Sequence, residues 1–174
     1  MKNTKRLTLL IAVSCIALGL FASLYNKTPP SAPPAPALQA LLAETLPDAA
    51  GKLQPLAQWQ GKILVINFWA TWCAPCVKEM PALSALQSEL AGKKIHIIGI
   101  GIDSAKNVGA FADKYAISYP LYVAGMGGSQ FSRAFGNQAG GLPYTVVVGS
   151  DGQIRKTYLG ELDIALLRRD LLAL

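Results

Sequence analysis

Cysteine and histidine are scarce in this 174-residue chain, which holds three Cys and a single His. Cys73 and Cys76 could supply half of a zinc site, but the other half is missing. The lone His96 lies inside an apolar stretch, Lys94 to Ile102, where a core or edge role is expected. No metal site is therefore expected. A disulfide framework is excluded too, because the body of the chain carries one cysteine pair. Basic runs interleaved with aromatics are absent, and the formal charge of +6 shrinks once the N-terminus is set aside. Lys2, Lys5, Arg6 and Lys27 supply four of the 16 basic residues, leaving 12 against 10 acids, a balance of +2. No nucleic-acid partner is expected. The glycine-rich segment Gly125 to Gly128 reads as a loop, and no Gly-Lys-Ser/Thr follows to make it a phosphate cradle.

Charge is absent from Leu7 to Tyr25, 19 residues preceded by Lys2, Lys5 and Arg6. As a helix they would span ~28 Å, close to the ~30 Å hydrocarbon layer of a bilayer. The positive flank places the N-terminus in the cytoplasm and the remainder outside. Residues 1–27 are thus expected to be a single-pass anchor in the cytoplasmic (inner) membrane, with the rest on the extracytoplasmic, periplasmic side. A cleaved signal peptide is the alternative, although Leu20-Phe21-Ala22 is a poor cleavage site and Ala35-Pro36-Ala37 lies far downstream. Lipidation at Cys15 is a third, with Ala12 a weak start for its signal. Residues 28–39 follow as a Pro-rich linker: five prolines in Thr28 to Ala37 favour a stiff, extended spacer. Residues 40–174 form the expected folded domain.

Within that domain the chain centres on Asn67-Phe68-Trp69-Ala70-Thr71-Trp72-Cys73-Ala74-Pro75-Cys76. The segment leaves an apolar run, Lys62 to Phe68, that reads as a buried strand. It enters a helix from about Ala74 to Leu90, with Met80, Leu83, Leu86 and Leu90 on one face and Pro75 in its first turn. At a helix start the unpaired N–H groups and the dipole favour a negative charge, by up to ~2 kcal/mol when partly buried. One pKa unit is about 1.36 kcal/mol, so the position alone can lower the Cys73 thiol by about a unit. Thiol–disulfide exchange requires such a thiolate. Cys76, one turn further in, is expected to be the resolving thiol.

The remaining pattern alternates. Lys94 to Ile102 reads as a strand, Ala105 to Tyr115 as a helix, Tyr119 to Val123 as a short strand, and Ser129 to Phe135 as one or two helical turns. Tyr144 to Val148 and Gln153 to Tyr158 form a hairpin around Asp151-Gly152, and Asp163 caps a last helix to Leu172. The expected class is α/β, a mixed central sheet flanked by helices.

The wording V-I-N-F-W-A-T-W-C-A-P-C-V-K-E-M-P, Val65 to Pro81, resembles the active site of the thioredoxin superfamily. It is most similar to the membrane-anchored TlpA/ResA-type thiol–disulfide oxidoreductases, and the resemblance runs from about Leu46 to the C-terminus. It implies a thioredoxin-like fold with the TlpA-type central insertion at Ile102 to Phe135. It implies Cys73 as nucleophile, Cys76 as resolving thiol, and no cofactor beyond the Cys73–Cys76 disulfide. Trp72 and Pro75 become a docking rim for substrate, with simple turn packing as the other reading. Pro143 becomes a cis-proline against the cysteines, with Leu142 and Pro143 meeting an extended substrate. Tyr144 stands where many relatives have threonine, which suggests a bulkier rim. The relay of the Cys76 proton falls to Asp103 or to Glu79, since Asn67 replaces the buried Asp of thioredoxin itself.

The implied partners are disulfide-containing proteins and a membrane-embedded thiol electron donor. Reduction of partner disulfides is the expected direction, with a disulfide oxidase and a non-catalytic binding module as alternatives. A cytochrome c maturation role lacks its Gly-x-Pro-Glu signature at Leu142-Pro143-Tyr144. A peroxiredoxin lacks its threonine, because Ala70 stands three residues before Cys73.

Overall fold

A computed structural model describes residues 35–174. The expected anchor at 1–27 and residues 28–34 of the expected linker lie outside the described residues. In chain order the elements are α1 (Pro36–Leu42), β1 (Thr45–Pro47), β2 (Leu53–Pro55), a 3-10 turn (Leu56–Trp59), β3 (Ile63–Trp69) and α2 (Ala74–Glu89). They continue with β4 (Ile95–Gly101), α3 (Ala105–Tyr115), β5 (Leu121–Val123), a 3-10 turn (Gly125–Gly127) and α4 (Gly128–Ala134). β6 (Tyr144–Val148), β7 (Ile154–Leu159) and α5 (Ile164–Leu172) complete the chain.

Five strands form one sheet in the order β5-β4-β3-β6-β7. β3 and β4 are parallel, as are β4 and β5, whereas β6 and β7 run antiparallel. Both faces of the sheet are covered, which is why β3 reads as a continuous apolar run rather than an alternating one. Val65 and Trp69 face α2, α3 and α5, in a core with Met80, Leu83, Phe111 and Leu167. Leu64, Ile66 and Phe68 face the other side, in a core with Leu38, Leu41, Ile98, Ile100 and Phe135. The helix face expected on α2 is the buried one: Met80, Leu83, Leu86 and Leu90 are all at most 2% exposed.

Two sequence-based expectations change. The linker expected over 28–39 ends early, because Pro36 opens a helix whose Leu38 and Leu41 are buried. Proline fits there, since a first-turn N–H has no intrahelical partner to lose. Ala35 N–H also donates to the Gly152 carbonyl at 3.1 Å, so the folded part starts before residue 40. The Gly125–Gly128 segment is not an open loop: a 3-10 turn runs straight into α4 at Gly128. A side chain at Gly128 would come within 2.8 Å of Ile102 Cγ1; glycine lets α4 sit close on the end of β4. Among the described residues no helix is long and apolar enough to cross a membrane.

Candidate active site

β3 delivers the chain to Cys73, which is the N-cap residue of α2. Cys73 and Cys76 are disulfide-bonded with Cα atoms 5.3 Å apart, and Cys73 Sγ accepts a hydrogen bond from Cys76 N–H at 3.3 Å. Cys73 is 7% exposed and Cys76 fully buried, so an incoming thiol can approach the first sulfur but not the second. Nearby cations are weakly placed to lower a thiol further, because Lys78 is largely solvated and pairs with Glu161 at 2.6 Å.

Around the pair, Trp72 stands 69% exposed and Pro75 is exposed beside it. The Leu142–Pro143 peptide is cis. Tyr144 pairs with Phe68, which puts Pro143 at the end of the sheet where β3 gives way to the motif. Trp72 and Leu142 come together, with Ile102 and Met126, around a cavity of about 150 Å³. The rim expected from Tyr144 is not there. Tyr144 is 5% exposed, packs on Phe68, and its hydroxyl donates to the Phe135 carbonyl at 2.9 Å. Its register partner Phe68 faces the α1/α4 core, and Tyr144 follows it inward.

The two acids occupy opposite environments. Glu79, one turn beyond Cys76, is 3% exposed. Its Oε1 accepts from Asn67 Nδ2 at 2.8 Å and its Oε2 from the Leu162 N–H at 2.9 Å. Burial pushes its pKa up to about 7; the two hydrogen bonds pull the other way and the Glu161 charge adds to the rise. Asn67, wholly buried, forks between Glu79 and Thr145 Oγ1 at 2.9 Å and leaves its Oδ1 without a partner. Asp103 is half-buried and pinned on both oxygens. Thr71 O–H and Thr71 N–H donate to Oδ2, while Ser104 N–H and Asn107 Nδ2 donate to Oδ1. Burial alone would raise its pKa, but these bonds outweigh it and hold the carboxyl below its ordinary value. Asp103 is thus an ionised clasp on the Thr71 turn, whereas Glu79 titrates near neutrality in the core beneath the cysteines.

The Redoxin family model matches residues 30–170. The chain belongs to the Redoxin family. Within that family it is TlpA/ResA-like, a thiol–disulfide oxidoreductase. The thiol-disulfide oxidoreductase ResA of Geobacillus thermodenitrificans is 26% identical over 166 residues, covering 92% of this chain and 91% of that one. ResA of Halalkalibacterium halodurans is 31% identical over 116 residues, covering 66% and 64%. Among solved structures, a thiol:disulfide interchange protein of the thioredoxin family from Chlorobium tepidum superposes with a TM-score of 0.62 at 27% identity. It covers 74% of this chain and 94% of that one.

Three more members of this Redoxin site were not singled out from the sequence: Thr145, the Leu162 N–H, and Tyr119. The Tyr119 hydroxyl is buried without a partner, and burial, then the Glu79 charge, raises its pKa. Thr145 was findable as the neighbour of a polar residue in an apolar strand. Tyr119 carried no such signal: it reads as part of the apolar run to Val123, although the strand itself begins at Leu121.

Proposed function

We propose that this protein reduces disulfides in partner proteins from the extracytoplasmic side of the cytoplasmic membrane, held there by residues 1–27. Cys73 as thiolate attacks a substrate disulfide. One substrate sulfur leaves as a thiolate, and a mixed disulfide to Cys73 forms. Glu79 as carboxylate takes the Cys76 proton, and Cys76 attacks Cys73 Sγ. The second substrate thiolate departs, Cys73–Cys76 is oxidised, and the two thiolates take up protons from Glu79 and solvent. Two electrons reach the substrate, and a membrane-embedded thiol donor restores the dithiol. Trp72, Pro75, Leu142 and Pro143 flank the substrate segment, and Asp103 positions the Thr71 turn rather than moving the proton.

The observation behind this reading is the buried Glu79 carboxyl, held by Asn67 and the Leu162 N–H one helical turn beyond the Cys73–Cys76 disulfide; burial lifts its pKa to about 7. A base near ambient pH is what deprotonating a buried thiol requires. The lack of a strong cation beside Cys73 among the described residues supports the reducing direction: its thiolate would gain only moderate stabilisation, which keeps the couple reducing. The test pairs a measured potential with trapping. A potential nearer thioredoxin's ~−270 mV than the ~−120 mV of the oxidant DsbA is expected. Cys76→Ser should accumulate substrates on Cys73, and Cys73→Ser should trap none. A potential near the oxidant's would make the protein an oxidase.

A further inference from the structure

The end of the sheet remote from Cys73 carries a surface that the redox chemistry does not use. β3 and β4 are parallel, so both begin there, and the β6–β7 turn lies alongside: Leu64 pairs with His96 and with Val148. At that end Lys62, Lys93, Lys94, His96 and Ser150 line one concavity of about 330 Å³. Lys93 and Lys94 are exposed, and the Lys62 ammonium rests 4.9 Å from the Trp59 ring centroid. None of these three lysines makes an ion pair among the described residues, while the neighbouring acids are engaged: Asp151 with Arg155, and Glu89 with Arg168. The charge of the concavity is therefore uncompensated and positive.

The chain also enters the fold at this end. Ala35 N–H donates to Gly152 O in the same β6–β7 turn. Upstream lie only residues 28–34 between it and Lys27, which closes the 19-residue uncharged stretch. Seven residues cover at most ~25 Å even fully extended, which bounds how far the basic end can lie from Lys27.

We propose that this basic end docks on anionic phospholipid headgroups, with Lys62, Lys93 and Lys94 against the phosphates. The proposal rests on the membrane-anchor reading above. Clustered lysines beside a membrane segment are drawn to an anionic surface, an attraction that falls off within a Debye length of about 8 Å. Docking by this end sets the length of β3, seven residues at ~3.3 Å, between the headgroups and Cys73. The disulfide then faces away from the bilayer, toward partners free in the compartment, and the domain must lift off before a membrane-embedded donor can reach it.

Full-length protein is reconstituted into phosphatidylcholine vesicles with or without about 30% phosphatidylglycerol. Each lysine's rate of acylation is then read by mass spectrometry. Lys62, Lys93 and Lys94 should react at least about fivefold more slowly in the anionic vesicles, and high salt should remove the difference. Lys78 and Lys106, at the Cys73 end, should react alike in both. In a Lys93→Gln/Lys94→Gln variant, Lys62 should lose its protection while insulin reduction is unchanged. Equal rates in the two lipids would overturn the proposal. So would protection by inorganic phosphate alone in neutral vesicles, which would mark a free-anion site, or protection rising with protein density, which would mark a second copy. Protein that washes off neutral vesicles yet is protected on anionic ones would support the docking and refute the anchor.

Discussion

Replacing Glu79 by Gln separates the cost of the buried acid from its use. The carboxyl sits at about 7 against an ordinary 4.5. At about 1.36 kcal/mol per pH unit, ionising it inside the fold costs about 3 kcal/mol more than in the unfolded chain. Because the folded value is raised, the folded protein binds the extra proton between 4.5 and 7, and its stability falls as pH rises through that window. Above it the loss is complete. Gln has no proton to lose: its oxygen can accept from Leu162 N–H, and a half-turn of the Asn67 amide brings the unpartnered Oδ1 round to accept from the Gln amide in place of the bond that Asn67 Nδ2 now donates to Glu79. Urea unfolding of the oxidised proteins across pH 4 to 8 should therefore show Glu79→Gln gaining about 3 kcal/mol on the wild type over that range. Kinetically the variant should pass the first attack and stall at resolution. Release of the mixed disulfide should be slowed about 10²-fold, without the wild type's rise through neutral pH. A stability difference flat with pH, together with unchanged release, would refute both the buried-acid energetics and the relay.

Asp103→Asn should cost about 1–2 kcal/mol in thermal or urea unfolding, because four donors converge on that carboxylate. It should leave the pH–rate profile near 7 in place; a lost profile would transfer the relay to Asp103. Gly99→Ala should destabilise by about 1–3 kcal/mol in urea unfolding, since the added carbon would lie 2.5 Å from Leu121 Cδ2 and 3.1 Å from Trp69 Nε1. Trp72→Ala should raise KM for a protein disulfide severalfold with kcat and stability held, as the ring is largely exposed; an unchanged KM would make Trp72 plain turn packing.

Much of the fold was legible because its signals were local. Ile63 to Trp69 carries its apolar run and α2 its spaced leucines, and the Asp-Gly turn and the Asp163 cap name their own positions; Asp163 indeed accepts from Leu166 N–H at 3.0 Å. The site was legible in part. Glu79 and Asp103 were both visible as acids near the motif, but burial and partner count distinguish them, and neither is a property of a short segment. Glu79 meets Leu162 across 83 positions and Asn67 meets Thr145 across 78. Tyr144 was misread because its direction depends on registry with Phe68, and α1 because a proline that ends one kind of segment can begin another.

The two outer strands have a consequence for how copies of this protein meet. β5 is three residues long, and its flank is engaged by the bridge between Asp48 and Tyr122, with Trp59 Nε1 donating to the Tyr122 hydroxyl at 2.9 Å. β7, the other border, is longer and mostly exposed, but it carries Arg155 and Lys156 and is irregular near Val147/Val148. Short length, the Asp48 bridge, charge and an irregular register each hinder a neighbouring chain from adding its own strand. Copies that collide are thereby hindered from polymerising through their sheets, which leaves each disulfide free for its own substrate.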